Sequence, residues 1–166
     1  MALLKRTADS ENPVAEQDAV ELLKNDHRTV EKLFDEFEKM TGGRKSSVAE
    51  EICNALKIHA QIEEEIFYPA ARDALKKEDV DLIDEADVEH ATIKGLVGRI
   101  GSVGESDAHY DALVTVLGEY VKHHVKEEEN ELFPKLRRSK MNLDAVGAAL
   151  AWRKKELEGN PARRSS

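Results

Sequence analysis

The chain has 166 residues, of which 40% are hydrophobic, 36% charged and only 5% aromatic. This length is enough for one domain with its own core, and many Ala, Leu, Glu and Lys residues with few aromatic ones favour helices. The formal net charge is −9. Because a protein that binds a phosphate backbone needs a basic face, this charge argues against nucleic acid as a partner.

Cysteine content and apolar runs predict the cellular location. Cys53 is the single cysteine, so no disulfide can form within the chain. The first residues contain no apolar region of signal-peptide length, and no run approaches the roughly 18 apolar residues of a membrane span. We therefore predict a soluble, cytoplasmic protein without a membrane partner. These features do not indicate which protein, if any, is a partner.

In chain order, residues 1–16 are polar and unpatterned and are predicted to form a flexible tail. Apolar residues then recur at helical spacing in four long segments. These segments are 18–40, 47–76, 80–103 and 107–138. Pro69 should kink or divide the second segment. A shorter fifth helix over 143–158 is expected to cover one end of the fold, and 159–166 form a second flexible tail. The fifth helix carries the apolar residues Val146, Leu150 and Trp152.

The four long segments contain two copies of one helical hairpin. Residues 59–69 align with residues 124–134, so that His, Glu and Pro coincide and an apolar–aromatic pair precedes each Pro. The Asp-His pair at 26–27 likewise matches the Glu-His pair at 89–90. Such repetition organises a fold. We predict one all-α domain over 17–158, an antiparallel up-down four-helix bundle of two repeated hairpins with a short fifth C-terminal helix.

Each long segment carries a histidine within its apolar stripe, and in the second and fourth segments a glutamate follows one turn later on the same face. The stripe of the fourth segment is Leu113, Leu117, Tyr120, His124, Glu128 and Leu132. A core-facing carboxylate is costly unless a positive group neutralises it. Imidazole and carboxylate at this spacing can reach one ion, and glutamates can also bridge two ions. The predicted metal ligands are His27, His59, Glu63, His90, His124 and Glu128.

Each candidate ligand also has an ordinary structural explanation. A single histidine on an apolar face is more often a hydrogen-bonded core residue, and a single His-x-x-x-Glu is commonly a surface pair. Metal binding is favoured because six residues agree in face, spacing and repeat register. In the acidic runs at 63–65 and 127–129, one glutamate is expected to turn inward and the others to be solvated.

Other polar residues are assigned to the surface or to packing. His123, with Glu127 one turn later, is predicted to lie behind the ligands or at the surface. Glu31 is either an additional ligand or an exposed residue, and the exposed position is favoured. His109 is expected to be exposed, and Cys53 is expected to pack rather than to react.

The combined pattern resembles the hemerythrin, or HHE cation-binding, family over roughly residues 20–138. The matching pieces are Asp26-His27, His59-x-x-x-Glu63 with Phe67-Tyr68-Pro69, Glu89-His90, and His124-x-x-x-Glu128 with Leu132-Phe133-Pro134. The resemblance implies a four-helix bundle around two iron ions with a bridging oxo or hydroxo group, although the ligand types suit manganese and zinc as well. Family members carry or sense oxygen, handle peroxide or nitric oxide, or store and deliver iron. Dioxygen, peroxide and nitric oxide are therefore the implied small ligands.

Lys94 stands where oxygen-carrying hemerythrins have a further histidine, one turn after the ligand that His90 resembles. The missing imidazole leaves a coordination position open and argues against reversible oxygen carriage.

The leading hypothesis is a non-haem di-iron protein that binds or reacts with dioxygen or peroxide, in stress defence or oxygen sensing. Its enzymatic activity would be metal-based, catalase-like consumption of peroxide. The alternative is an iron-handling, iron-sensing or interaction module whose metal site controls stability. A structural zinc bundle is disfavoured, because such sites prefer closed four-ligand sets, often with Cys.

Overall fold

The computed structural model describes residues 17–160, and all regular secondary structure among them is helical. The α-helices are α1 (Ala19–Lys39), α2 (Lys45–Ile62), α3 (Tyr68–Ala74), α4 (Asp81–Ser102), α5 (Tyr110–Glu127), α6 (Phe133–Arg137) and α7 (Leu143–Gly159). Two π-helical turns, Glu63–Phe67 and Glu128–Leu132, join α2 to α3 and α5 to α6, and a 3-10 turn, Lys77–Asp79, precedes α4. The predicted all-α class is confirmed. The predicted tail 1–16 and most of the predicted tail 159–166 lie outside the described residues. Within that described range, none of the helices has the length and apolar character needed to cross a bilayer.

The second long helix of each hairpin passes through a π-helical turn that begins at the glutamate of its His-x-x-x-Glu pair. The backbone N–H of Tyr68 donates to the carbonyl of Glu63, five residues earlier, and Phe133 donates to Glu128 in the same way. Proline inside a helix lacks an N–H and clashes with the carbonyl four residues earlier, and the wider π register accommodates it. The division expected near Pro69 falls at this turn, and the chain stays helical beyond the proline.

The helices pair as two hairpins, α1 with α2 and α4 with α5. Two apolar clusters fill the bundle, and along each helix the histidines fall between them. The first cluster includes Leu23, Ile62, Ile83 and Leu132, and the second includes Val30, Ile52, Ile93 and Leu117. A layer of polar side chains therefore crosses the bundle between two hydrophobic layers.

Helix α7 lies against α1 and α2 and buries Leu150 and Leu157 in the first apolar cluster. Its close approach depends on Gly147, where a Cβ atom would come within 2.4 Å of the backbone oxygen of Gln17. Trp152, an apolar residue of the predicted fifth helix, is 64% exposed. Leu150 and Leu157 are two turns apart and define the buried face, and Trp152 lies off that line.

The sequence analysis placed Tyr120 in the apolar stripe of the fourth segment, and this assignment is wrong. Tyr120 is 46% exposed, whereas its neighbour Val121 is 5% exposed and packs in the second cluster. Both positions lie about one turn from Leu117 and from His124, so helical spacing alone does not distinguish them. An exposed position keeps the tyrosine hydroxyl hydrated.

Candidate metal centre

Six polar side chains converge in the layer between the two apolar clusters, and none is more than 6% exposed. They are His27 from α1, His59 from α2, His90 from α4, His124 from α5, and Glu63 and Glu128 from the first residue of each π turn. The structure thus brings together all six residues that the sequence analysis selected.

The four imidazoles form two pairs, one in each hairpin. Nε2 of His27 lies 3.2 Å from Nε2 of His59, and Nε2 of His90 lies 3.1 Å from Nε2 of His124. Each pair joins the two long helices of one hairpin. This arrangement gives two positions at which a pair of nitrogen atoms can converge on one ion.

Glu63 connects the two histidine pairs. Its Oε1 atom lies 3.2 Å from Nε2 of His59, in its own hairpin, and its Oε2 atom lies 3.2 Å from Nε2 of His90, in the other hairpin. A carboxylate that faces one pair with each oxygen has the position of a bridging ligand.

Glu128 occupies the matching position in the second repeat. Its Oε2 atom lies 3.4 Å from Nε2 of His27 and 3.6 Å from Nε2 of His124. Its Oε1 atom accepts a hydrogen bond of 2.8 Å from the hydroxyl of Tyr68, which also lies 3.2 Å from Nε2 of His90. The second glutamate therefore also lies between the histidine pairs, but one of its oxygens is held by a phenol.

Tyr68 contacts the candidate ligands Glu128 and His90, and the sequence analysis did not select it. Its equivalent in the second repeat is Phe133, whose ring stacks on His27 with centroids 6.0 Å apart and planes 4° apart. The hydroxyl thus gives one half of the centre a polar group that the other half lacks. A comparison of the two aligned repeats shows the Tyr/Phe difference, but only the fold shows that the hydroxyl reaches Glu128.

Each imidazole is also held from behind by a carboxylate at its Nδ1 atom. The pairs are His27–Glu129 (2.8 Å), His59–Asp26 (3.4 Å), His90–Glu64 (3.0 Å) and His124–Glu89 (2.7 Å). Because a carboxylate only accepts, Nδ1 is the donor, and the Nε2 atom of a neutral ring presents a lone pair to the centre. The expectation that Glu64 and Glu129 are simply solvated is therefore wrong. All four carboxylates occupy matching positions in the two repeats, which is the signal that could have identified them.

Basic side chains lie behind three of these four carboxylates. Arg28 contacts Glu129 at 2.6 Å, Lys94 contacts Glu64 at 2.8 Å, and Lys154 of α7 contacts Asp26. Lys94, at the position where a further histidine was expected, is 49% exposed. It supports His90 through Glu64 from outside the centre.

The charges of the centre favour a positive occupant. Burial lowers the pKa of His59, but the charge of Glu63 and the hydrogen bond of Asp26 outweigh it and raise this pKa to about 10. Burial also lowers the pKa of His90, but the adjacent carboxylates of Glu63 and Glu64 outweigh it and raise this pKa to about 9. Burial raises the pKa of Glu63, but the adjacent imidazoles hold it well below its usual value. Without a metal, protons on His59 and His90 therefore supply positive charge.

Comparison with known proteins identifies the family. A family model described as the hemerythrin HHE cation binding domain matches residues 18–136. The chain belongs to this family.

Two individual proteins are similar to this hemerythrin HHE domain. The crystal structure of an HHE cation binding domain-containing protein from Mycobacterium kansasii superposes with a TM-score of 0.73 at 22% identity, covering 86% of this chain and 88% of that chain. This likeness supports the fold. A DNA nickase from Nostoc sp. (strain PCC 7120) is 29% identical over 119 residues, covering 70% of this chain and 33% of the relative. The chain thus spans about a third of the length of that relative.

The buried donors of this HHE domain fit a bound cation. Both carboxylate oxygens of Glu63 and Oε2 of Glu128 are buried and have no hydrogen-bond partner among residues 17–160. Their distances to the imidazoles are short, but the groups are not aligned as hydrogen bonds. A buried carboxylate without partners is costly, and a metal ion would satisfy all three oxygens. The donor atoms form two groups that share Glu63, with all atoms of a group within 4.8 Å of one another.

A small cavity lies beside the four histidines of the HHE domain. Its volume is about 20 Å³, and its apolar walls include Val30, Ile93, Val121 and Val125. A cavity of this size holds about one molecule as large as water. Only a very small ligand therefore fits next to the histidines without movement of the helices.

The remaining candidates lie at the surface or in the core, as expected. His109 is 83% exposed, and Glu31 pairs with Arg28 at the surface. Cys53 is buried in the second apolar cluster. His123 is 61% exposed and contacts the carboxylates of Glu89 and Glu127.

Proposed function

We propose that this protein binds two iron ions in the polar layer of its bundle and reacts with dioxygen or peroxide. One ion would be held by His27 and His59, and the other by the histidine pair of the second hairpin. Glu63 and Glu128 would bridge the two ions. The observation that carries the proposal is the two histidine pairs, which are spanned by glutamates with three buried oxygens that have no hydrogen-bond partner among residues 17–160. The same donors suit manganese or zinc.

The proposed reaction depends on the redox chemistry of the bound metal and on the size of the cavity that the chain leaves beside it. An iron pair, when bound, supplies two-electron exchange with dioxygen or peroxide. The cavity volume of about 20 Å³ excludes large ligands, so dioxygen, peroxide or nitric oxide fits best. Tyr68 keeps its proton, because burial and the charge of Glu128 raise its pKa well above the usual value. We therefore favour catalase-like consumption of peroxide, in stress defence or oxygen sensing.

A groove between α1 and α5 offers a route for such a ligand. Its volume is about 500 Å³, and Val121 and Val125 line both this groove and the inner cavity. Phe34 closes part of it by packing on Gly118, where a Cβ atom would meet the ring at 3.2 Å. The groove also contains the acidic residues Glu31, Asp35, Glu38 and Glu119. Their charge disfavours anions, so a neutral ligand is the better match.

Nucleic acid is not part of the proposed function. DNA nicking is a property of a relative of which this chain spans about a third. The net charge of −9 would repel a phosphate backbone.

Metal analysis and peroxide turnover on one preparation test the proposal. The protein is expressed with iron, its metal content is measured by mass spectrometry, and oxygen release from peroxide is followed. We expect about two irons per chain, near-ultraviolet absorption from an oxo bridge, and turnover that is lost in His59→Ala but retained in His109→Ala. Zinc alone, or iron-loaded protein that does not react with peroxide, would contradict the redox function.

A second function, iron sensing or iron handling, is favoured by the coupling of the centre to α7. Lys154 of α7 contacts Asp26, which in turn contacts the ligand His59. Loss of the metal would leave Glu63 buried without a partner other than protonated imidazole, so metal occupancy and bundle stability should be linked. Equal unfolding free energies with and without iron would exclude this function, and would leave the peroxide reaction untouched.

A further inference from the structure

The two repeats differ in what lies on the outer side of their matching carboxylates. In the first repeat, Asp26 contacts His59 with Oδ2 and the ammonium group of Lys154 with Oδ1. In the second repeat, Glu89 contacts His124 with Oε2 and His123 with Oε1, at 2.7 and 3.3 Å. No lysine or arginine within residues 17–160 forms an ion pair with Glu89. The position that Lys154 fills in one half therefore has no fixed cation in the other half.

Three ligand groups meet at this outer position. Nε2 of His123 lies 3.3 Å from Oε1 of Glu89 and 3.1 Å from Oε1 of Glu127. One ligand atom from each residue lies within 4.8 Å of the others. His123 and Glu127 are one helical turn apart on α5, so the cluster repeats on the surface the His-x-x-x-Glu spacing of the buried centre.

The cluster is open to solvent because, among the helices of residues 17–160, α7 packs on the first hairpin and not on this part of the second. The residues that align with His123 and Glu127 in the first repeat are Ile58 and Ile62, and both are buried in the apolar cluster to which α7 contributes. In the second repeat the imidazole is 61% exposed and the carboxylate of Glu127 is 34% exposed. Polar ligands thus replace the apolar pair at a position that no helix of the described residues covers, and water can complete the coordination of an ion.

We propose that His123, Glu127 and Glu89 form a third, surface metal site for a divalent first-row transition ion, separate from the buried pair. One imidazole and two carboxylates, with open positions for water, suit zinc, iron(II) or manganese(II), and the nitrogen ligand disfavours magnesium and calcium. Glu89 joins this site to the buried centre, since its other oxygen holds His124. A bound ion supplies the positive charge beside Glu89 that the ammonium group of Lys154 supplies beside Asp26.

Zinc titration of iron-loaded protein tests the surface site. Zinc bound per chain is measured by equilibrium dialysis and mass spectrometry, with the buried positions already filled. We expect a zinc equivalent beyond the iron content, weakened at least tenfold in His123→Ala and in Glu127→Gln. His109→Ala removes another exposed histidine and should bind zinc as the parent does. Magnesium should not compete.

Two results would overturn the proposal. The first is unchanged zinc binding in His123→Ala, which would place the ion elsewhere. The second is the absence of any additional equivalent, which would mean that His123 contacts the two carboxylates without binding a metal ion. If the buried positions do not retain iron, the titration is made on metal-free His59→Ala protein with and without His123→Ala. An equivalent lost only with His123 then supports the surface site even when the buried centre has failed.

Discussion

The hydroxyl of Tyr68, in the first hairpin, donates a hydrogen bond of 2.8 Å to Oε1 of Glu128, in the second hairpin. This is a direct polar link between the halves of the bundle within the metal centre. It satisfies one oxygen of a buried carboxylate, while the other oxygen of Glu128 and both oxygens of Glu63 are left for a cation. The two halves are therefore unequal, although their histidines and glutamates repeat in register.

We expect Tyr68→Phe to destabilise the metal-free protein by about 1–3 kcal/mol, because it leaves Oε1 of Glu128 buried without a donor. Urea unfolding of metal-free samples measures the change. Tyr120→Phe removes a hydroxyl at a position that is 46% exposed, and should change the unfolding free energy by less than about 0.5 kcal/mol. Equal effects of the two substitutions would contradict the role assigned to the Tyr68 hydroxyl.

Glu63→Gln keeps the size of the side chain but removes the charge that faces both histidine pairs. We expect bound iron to fall at least about tenfold, because an amide is a poor bridging ligand. Metal content after dialysis against a chelator measures the loss. Glu131→Gln, a change of the same kind at an exposed position within the second π turn, is the matched control. A Gln variant that retains its iron would exclude Glu63 as a ligand.

Lys154→Met tests whether α7 contributes to the metal centre. The substitution keeps the length of the side chain but removes the ammonium group that holds Asp26 behind His59. Changes behind a ligand typically lower metal affinity by about 10–100-fold, and we expect a decrease in this range. Competition with a coloured chelator measures the affinity. Lys155→Met, at the exposed neighbouring position, should leave it unchanged, and equal affinities in both variants would contradict the coupling.

The metal-free protein should lose stability as the pH rises. The pKa of His59 is raised from 6.5 to about 10 in the folded state, and that of His90 to about 9. A raised pKa stabilises the fold fully below the unfolded value of 6.5, and this contribution disappears as pH passes through the folded values. The melting temperature of metal-free protein should therefore fall between pH 7 and pH 10.

Metal loading should remove this dependence. A bound metal replaces the protons on the imidazoles, so the melting temperature of iron-loaded protein should vary less over the same range, and metal affinity should increase with pH. Parallel thermal melts of the two forms make the comparison. An identical pH dependence in both forms would show that the buried imidazoles do not exchange protons for metal.

Val121→Phe should slow access of small ligands to the centre. Val121 lines both the 20 Å³ cavity and the groove between α1 and α5, and the phenyl ring of the variant would fill the space between them. Overpacking costs about 1–3 kcal/mol, so the variant should still fold and bind iron. We expect the rate of peroxide consumption to fall at least about tenfold at unchanged iron content. Val88→Phe, at a position that is 68% exposed, should have no effect, and an unchanged rate in Val121→Phe would exclude this route.

The sequence alone determined the helices, the repeat and the six candidate ligands. His27 and His90 fall in the middle of apolar stripes, and Glu63 and Glu128 each follow a histidine by one turn. Helical geometry places such residues on one face, and burial of that face follows from its apolar neighbours. These features depend only on contacts within a helix, so spacing along the chain is sufficient to predict them.

The tertiary structure decided which atoms meet. It paired the histidines within each hairpin, placed the glutamates between the pairs, brought Tyr68 to Glu128 and Lys154 to Asp26, and buried Val121 in place of Tyr120. Contacts between helices depend on the rotation and axial offset of each helix, which the packing of all core side chains sets together. A rotation of α5 about its axis by less than the angle between adjacent residues would exchange Tyr120 for Val121 at the core. Spacing along one helix does not contain that information.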